Sequence, residues 1–165
     1  MAKTLLRTNK EITEIYERHV KTVYRVCFPY MKSAADTEDA VQNTFLNLMR
    51  SAPAFENEEH EKAWLIRTAA NLCKDSLRNR WRKHEDLADY QHLQSRENLD
   101  VDETLGAVMA LPDKYKSVVY LHYYEGYTCV EIAKILGKPQ STVRVHLFEA
   151  RNILRERLGG DFDEK

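Results

Sequence analysis

The chain has 165 residues and a mass of 19.4 kDa, and its 25 Lys and Arg against 26 Asp and Glu leave a net charge of −1. With 43% hydrophobic and 31% charged residues and a mean hydropathy of −0.60, it can bury a core beneath a well-solvated surface, which excludes a disordered or collagen-like chain. The length allows one ordinary domain or two small ones, and five Gly and four Pro are too few to punctuate an all-β sandwich, so long helices are expected.

Thr8 and Glu11 stand at capping-box spacing. Ile12, Ile15, Tyr16, His19, Val20, Val23 and Cys27 then follow at i, i+3, i+4 and i+7, which predicts a first helix with one buried face, ending near Pro29. Asp36 is placed to cap a second helix of about four turns, with Ala40, Val41, Thr44, Phe45 and Leu48 inward and Ser51-Ala52-Pro53 as its stop. After a polar, acidic loop from Glu56 to Glu61, residues 62–84 contain neither Gly nor Pro, and Leu65, Ala69, Leu72 and Ser76 form the apolar line of a third, long helix.

The other face of that helix carries Asn71, Asp75, Arg78 and Arg82 at steps of four, three and four, flanked by Arg67, Lys74, Arg80 and Lys83, with Trp64 upstream. Cations with exposed aromatics suit a nucleic-acid backbone and unstacked bases. A solvated helix whose cations favour the negative end of the macrodipole explains the same residues. Trp64 and Trp81 can equally be core residues.

Charge then divides the chain. Residues 1–84 hold 15 Lys/Arg and 11 Asp/Glu, residues 85–104 hold 1 and 7, and residues 105–165 hold 9 and 8. The stretch from Glu85 to Glu103 has too few apolar residues to form a core, so it reads as an acidic linker between two units.

In the second unit a short helix is expected over residues 102–110. Leu111-Pro112-Asp113 opens another, lined by Tyr115, Val118, Val119 and His122 and closed by Glu125-Gly126. Thr128 and Glu131 make a second capping box for a helix to Leu136, Gly137-Lys138-Pro139-Gln140 turns the chain, and Ser141 is expected to cap a last helix to about Leu158. That is a helix-turn-helix, with Ala133 small at the crossing, Gly137 left-handed in the turn, and Ile132, Leu136, Val143 and Leu147 in contact. Val143, Leu147, Ala150 and Leu154 face inward, leaving Ser141, Thr142, Arg144, Val145, Phe148, Glu149 and Arg151 outward. Such a face suits the major groove: Arg can take a guanine edge, and Val or Phe can touch a thymine methyl.

Other function classes find little support. Cys27, Cys73 and Cys129 form no C-x-x-C pair and read as buried small hydrophobes, and the six His show no zinc spacing, so no metal site is expected. No nucleophile elbow or Gly-rich phosphate loop is present, so no catalytic residues are assigned. No apolar run approaches the roughly 20 residues of a bilayer span and the first residues are too polar for a signal peptide, so a cytoplasmic protein without membrane insertion is expected.

Four stretches resemble a known family: DTEDAVQNTFLNLMR (36–50), AWLIRTAANLCKDSLRNRWRK (63–83), LPDKYKSVVYLHYYEGYTCVEIAKILG (111–137) and STVRVHLFEARNILRE (141–156). Over residues 10–158 they resemble the sigma factors of bacterial RNA polymerase, specifically the compact extracytoplasmic-function (ECF) group. The D-x-V-Q-x-x-F segment and the W-L-x-R-x-x-x-N-x-x-x-D-x-x-R helix are the specific part, since a helix-turn-helix alone is widely shared.

The resemblance implies an all-α chain of two small helical domains: 8–84, which binds polymerase and melts and reads the −10 element, and 104–158, which reads the −35 element. Residues 85–103 are then an acidic linker that mimics nucleic acid in polymerase channels, and 159–165 a tail. By the same likeness Asp39, Gln42, Phe45 and Leu46 contact the polymerase clamp. Asn71 captures a flipped base with help from the loop around Phe55 to Glu61, Arg78, Arg80, Arg82 and Lys83 hold phosphates, and Trp64 and Lys74 belong to the −10 face. Ser141, Thr142, Arg144, Val145, Phe148 and Glu149 belong to the −35 face, with Arg151 near the backbone. Glu149 departs from a position that is often basic. The implied partners are core polymerase, promoter DNA and an anti-sigma factor, with no cofactor. The competing reading is a free-standing helix-turn-helix regulator that dimerises through its first domain, with a nucleic-acid enzyme third. A net charge of −1 favours the sigma factor, because a lone DNA binder carries a stronger basic balance.

Overall fold

The structure is a computed structural model that describes residues 7–51, 53–83 and 103–159, with the side chains of residues 81–83 and 103–104 outside that description. The chain forms two compact units that divide at Gln94 and Ser95. Among the described residues all regular structure is helical, and no helix is long and apolar enough to cross a membrane. The acidic linker expected at 85–103 falls outside the described residues except for Glu103, and so does the tail beyond Gly159.

The first unit is three helices: α1 (Asn9–Met31), α2 (Ala34–Ser51) and α3 (Glu58–Lys83). The Thr8 capping box forms, with the Thr8 hydroxyl accepting from the Glu11 N–H at 3.1 Å and the Glu11 carboxylate accepting from the Thr8 N–H at 2.9 Å. Helix α1 ends near Pro29 as expected, at Met31. It carries that proline in its last turn, where only one backbone bond is forfeited, and ends when Lys32 turns left-handed (φ 67) and donates to the Phe28 carbonyl at 2.8 Å. Burial of Phe28, Pro29, Tyr30 and Met31 holds this turn.

Two caps differ from expectation. Ser33, not Asp36, caps α2: its hydroxyl accepts from the Asp36 N–H at 3.2 Å, and Asp36 joins the first turn, where its charge favours the positive end of the helix. Asn57 caps α3 by accepting from the His60 N–H at 2.8 Å, so most of the expected acidic loop is helix. The interior line of α3 is also rotated: Leu65, Ile66, Ala69 and Cys73 have no exposed surface, whereas Leu72 and Ser76 are half-buried. Against them pack Val23, Cys27 and Leu48, each contributing about 1–3 kcal/mol by burial. Cys27 and Cys73 meet there, and their mutual hydrogen bond, reinforced by burial, raises the Cys27 thiol pKa far above its ordinary value. That suits small core hydrophobes; Cys129 is half-buried.

The second unit comprises α4 (Glu103–Met109), α5 (Asp113–Val119), a π-helical turn (Tyr120–Tyr124), α6 (Cys129–Leu136) and α7 (Gln140–Leu158). Helix α5 widens after Val119, which moves His122 off the expected apolar line; the His122 Nδ1 lies 3.0 Å from the Tyr127 carbonyl and the Tyr120 hydroxyl donates to Glu125 at 2.6 Å. The second capping box forms at Thr128 and Glu131, and Gly137 is left-handed (φ 69) with the Lys138 N–H on the Ala133 carbonyl at 3.0 Å. Ser141 is not the cap of α7. The helix begins one residue earlier behind Pro139, whose fixed φ already suits helix entry. Helix α7 packs against α4, α5 and α6, burying Val143, Leu147, Ala150 and Leu154 among Val108, Leu111, Tyr115, Val119 and Ile132.

Candidate nucleic-acid interface

On the first unit, α1 and α2 leave an open apolar groove lined by Ile12, Tyr16, Gln42, Phe45, Leu46 and Met49. Asp39, Gln42 and Leu46 are exposed, as the clamp assignment requires. Phe45 is not: it is buried as the groove floor, with the Tyr16 ring edge-on at 4.9 Å. Tyr16, expected in the core, is 43% exposed on the rim with Met49. Neither was expected on this surface; the period of α1 points Tyr16 inward, and only the position of α2 decides otherwise.

Along α3 the assigned residues do not form one free cationic face. Asn71 is exposed, and Lys74 is half-buried. Arg78 pairs with Asp75 at 3.1 Å, and Arg80 reaches back to Asp36 on α2 at 3.2 Å, so Arg80 is already neutralised within the unit. Arg82 and Lys83 lie on the last turn of α3, with side chains outside the described residues. Trp64 is half-buried, its ring edge-on to Phe55 at 5.9 Å; Phe55 also meets the His60 ring at 5.3 Å and lies beneath the Arg7 guanidinium at 5.1 Å.

Close in sequence to this aromatic cluster is a network that periodicity did not reveal. Glu61 is buried, accepts from Arg18 at 3.0 Å and lies 2.8 Å from the His19 Nε2. The hydrogen bond from Arg18 to Glu61 raises the arginine pKa above its ordinary value. The first turn of α3 is thereby tied to α1 beside the loop that carries Phe55.

On the second unit, α7 presents its outward side openly. Ser141, Arg144, Val145 and Phe148 are exposed, Val145 at 51% and Phe148 at 62%, and Thr142 is half-buried. Two other assigned residues are held by the unit itself. The Glu149 Oε1 accepts a 2.7 Å hydrogen bond from the Tyr115 hydroxyl, which raises the phenol pKa and keeps it a donor. The Arg151 Nε donates to the Tyr123 hydroxyl at 2.9 Å. Among the described residues no cluster of three or more His, Cys, Asp or Glu could hold a metal ion.

Two family models match the chain, one within each unit. The Sigma-70 region 2 family model matches residues 15–83, and the Sigma-70 region 4 model matches residues 102–154. The ECF RNA polymerase sigma factor SigW of Bacillus subtilis is 25% identical over 166 residues, covering 90% of this chain and 87% of its own. SigV of the same organism is 28% identical over 144 residues, covering 85% and 86%. The fold is that of the sigma factor RpoE of Bartonella quintana, solved with the anti-sigma factor NepR, at a TM-score of 0.72 and 21% identity over 92% of this chain and 99% of that one. With both sigma-70 regions matched in the family's order over most of its length, the chain belongs to the ECF group of sigma-70 factors: it is an RNA polymerase sigma factor for promoter-specific transcription initiation, not an enzyme.

Proposed function

We propose that residues 8–84 bind core polymerase and open the −10 element, and that residues 104–158 read the −35 element as duplex, with 85–103 as linker and 159–165 as tail. Polymerase docks on the groove between α1 and α2, where Asp39, Gln42 and Leu46 form the exposed contacts and Phe45 supplies the floor. Asn71 takes the flipped base beside Trp64 and the Phe55 loop, with Lys74, Arg78, Arg82 and Lys83 on phosphates; Arg80 joins them only by leaving Asp36. Ser141, Thr142, Arg144, Val145, Phe148 and Glu149 read the groove, and Arg151 lies at its edge.

The observation that carries this reading is the recognition helix. Val145 and Phe148 stand in solvent although four apolar neighbours on the opposite side are buried, and a groove lined by thymine methyls is a surface on which such residues gain by burial. The protein acts in the cytoplasm, with an anti-sigma factor as third partner; the resemblance to a sigma factor solved in such a complex supports the latter.

The test is reconstitution. Gln42→Ala should fold normally and lose affinity for core polymerase in a co-elution assay, with run-off transcription falling in proportion. Unchanged association rejects the groove as the contact.

A further inference from the structure

We infer that Glu149, aimed by the Tyr115 hydroxyl, selects a cytosine in the duplex read by α7, and that Tyr115 is the positioning residue for this contact; the inference rests on α7 being the −35 reader. Ser141, Val145 and Glu149 follow one another at i and i+4, so the half-buried Glu149 occupies the next position on the row that Ser141 and the exposed Val145 begin, next to the exposed Phe148. One carboxylate oxygen, Oε1, is held at 2.7 Å by the hydroxyl of Tyr115, whose ring is buried in the core against the edge of His146. The other, Oε2, has no hydrogen-bond partner among the described residues.

A long, flexible acid is thereby fixed before DNA arrives, which removes part of the entropic cost of using it as a contact. A carboxylate can only accept. In the major groove cytosine alone offers an amino donor without an adjacent acceptor: guanine N7 and O6 and thymine O4 repel an acceptor, and adenine pairs its N6 donor with the acceptor N7. A surface that already carries Arg144 for acceptor-rich edges gains a complementary element that rejects them.

A brace between α5 and α7 that never touches DNA would have the same geometry, so the experiment separates the two. Holoenzyme reconstituted from the full chain and core polymerase transcribes a promoter library randomised across the −35 element, and the transcribed templates are sequenced; thermal unfolding is recorded for every variant. The unsubstituted chain should enrich cytosine at one position by roughly fivefold or more. Glu149→Gln, which keeps an acceptor for Tyr115, should move that position toward adenine, because an amide pairs with adenine N6 and N7. Tyr115→Phe should flatten the preference at the same position and leave the others unchanged. If both variants lose only stability and every base preference stays the same, Glu149 is a brace and the inference is wrong. Arg144→Ala serves as the control: when it alters preference and Glu149→Gln does not, only this inference fails. When neither does, the reading of α7 fails with it.

Discussion

Helices α3 and α7 carry the two assigned nucleic-acid faces, and they are built differently. In α7 the division is sharp: four apolar residues are buried, while Arg144, Val145 and Phe148 stand free of the unit. In α3 the charged face is entangled with the fold. Arg80 is paired with Asp36, Arg78 with Asp75, and the first turn of α3 is tied to α1 through Glu61. The difference fits the two tasks. Duplex DNA has a regular shape, so a rigid, preformed helix face can meet it directly. A flipped base exists only after strands part, so a helix proposed to capture it has no preformed duplex shape to match.

Several substitutions break or sharpen this contrast. The largest effect is expected in the cores: Leu48→Ala in the first unit and Leu154→Ala in the second should each cost about 2–5 kcal/mol in denaturant unfolding. Because both side chains have no exposed surface, equal sensitivity would show that the units differ in their faces and not in the quality of their packing. A loss well below 1 kcal/mol at either position contradicts the core described.

Glu61→Ala comes next. It leaves the buried His19 without its carboxylate and unties Arg18, for a cost of about 1–3 kcal/mol. Strand opening at the −10 element should fall while protection of the −35 element persists. Equal loss of both would mean that Glu61 supports the whole unit and not the loop.

The smallest effect is expected for Asp36→Asn, which releases Arg80 from a partly exposed pair worth at most about 1 kcal/mol. Stability should barely move, whereas promoter binding should become steeper in its salt dependence if the freed guanidinium then takes a phosphate. An unchanged salt slope removes Arg80 from the DNA face.

What the sequence could reveal follows the range of the interaction. Thr8 with Glu11 and Thr128 with Glu131 are three residues apart, and both boxes form as expected. Val143, Leu147, Ala150 and Leu154 share one helix period and are all buried. Where two cap-competent residues stand close together, spacing could not choose between them, so Ser33 took the place given to Asp36; at α7 the helix starts behind Pro139 with no side-chain cap at all. The pairs that qualify the site are remote: Tyr115 and Glu149 are 34 residues apart, and Arg18 and Glu61 are 43 apart. Periodicity had Glu149 facing outward, and no periodicity could reveal that a tyrosine on another helix would hold it.

The division of labour between the helices is tested most directly by measuring permanganate reactivity of unpaired thymines and footprinting of the −35 region in the same holoenzyme–promoter complexes, for Asn71→Ala and Arg144→Ala. Arg144→Ala should weaken −35 protection by about 1–3 kcal/mol and relax base preference at one position. Asn71→Ala should keep that protection and lose thymine reactivity at the −10 element. Normal opening by Asn71→Ala, or an intact −35 footprint and preference in Arg144→Ala, contradicts the role given to that helix.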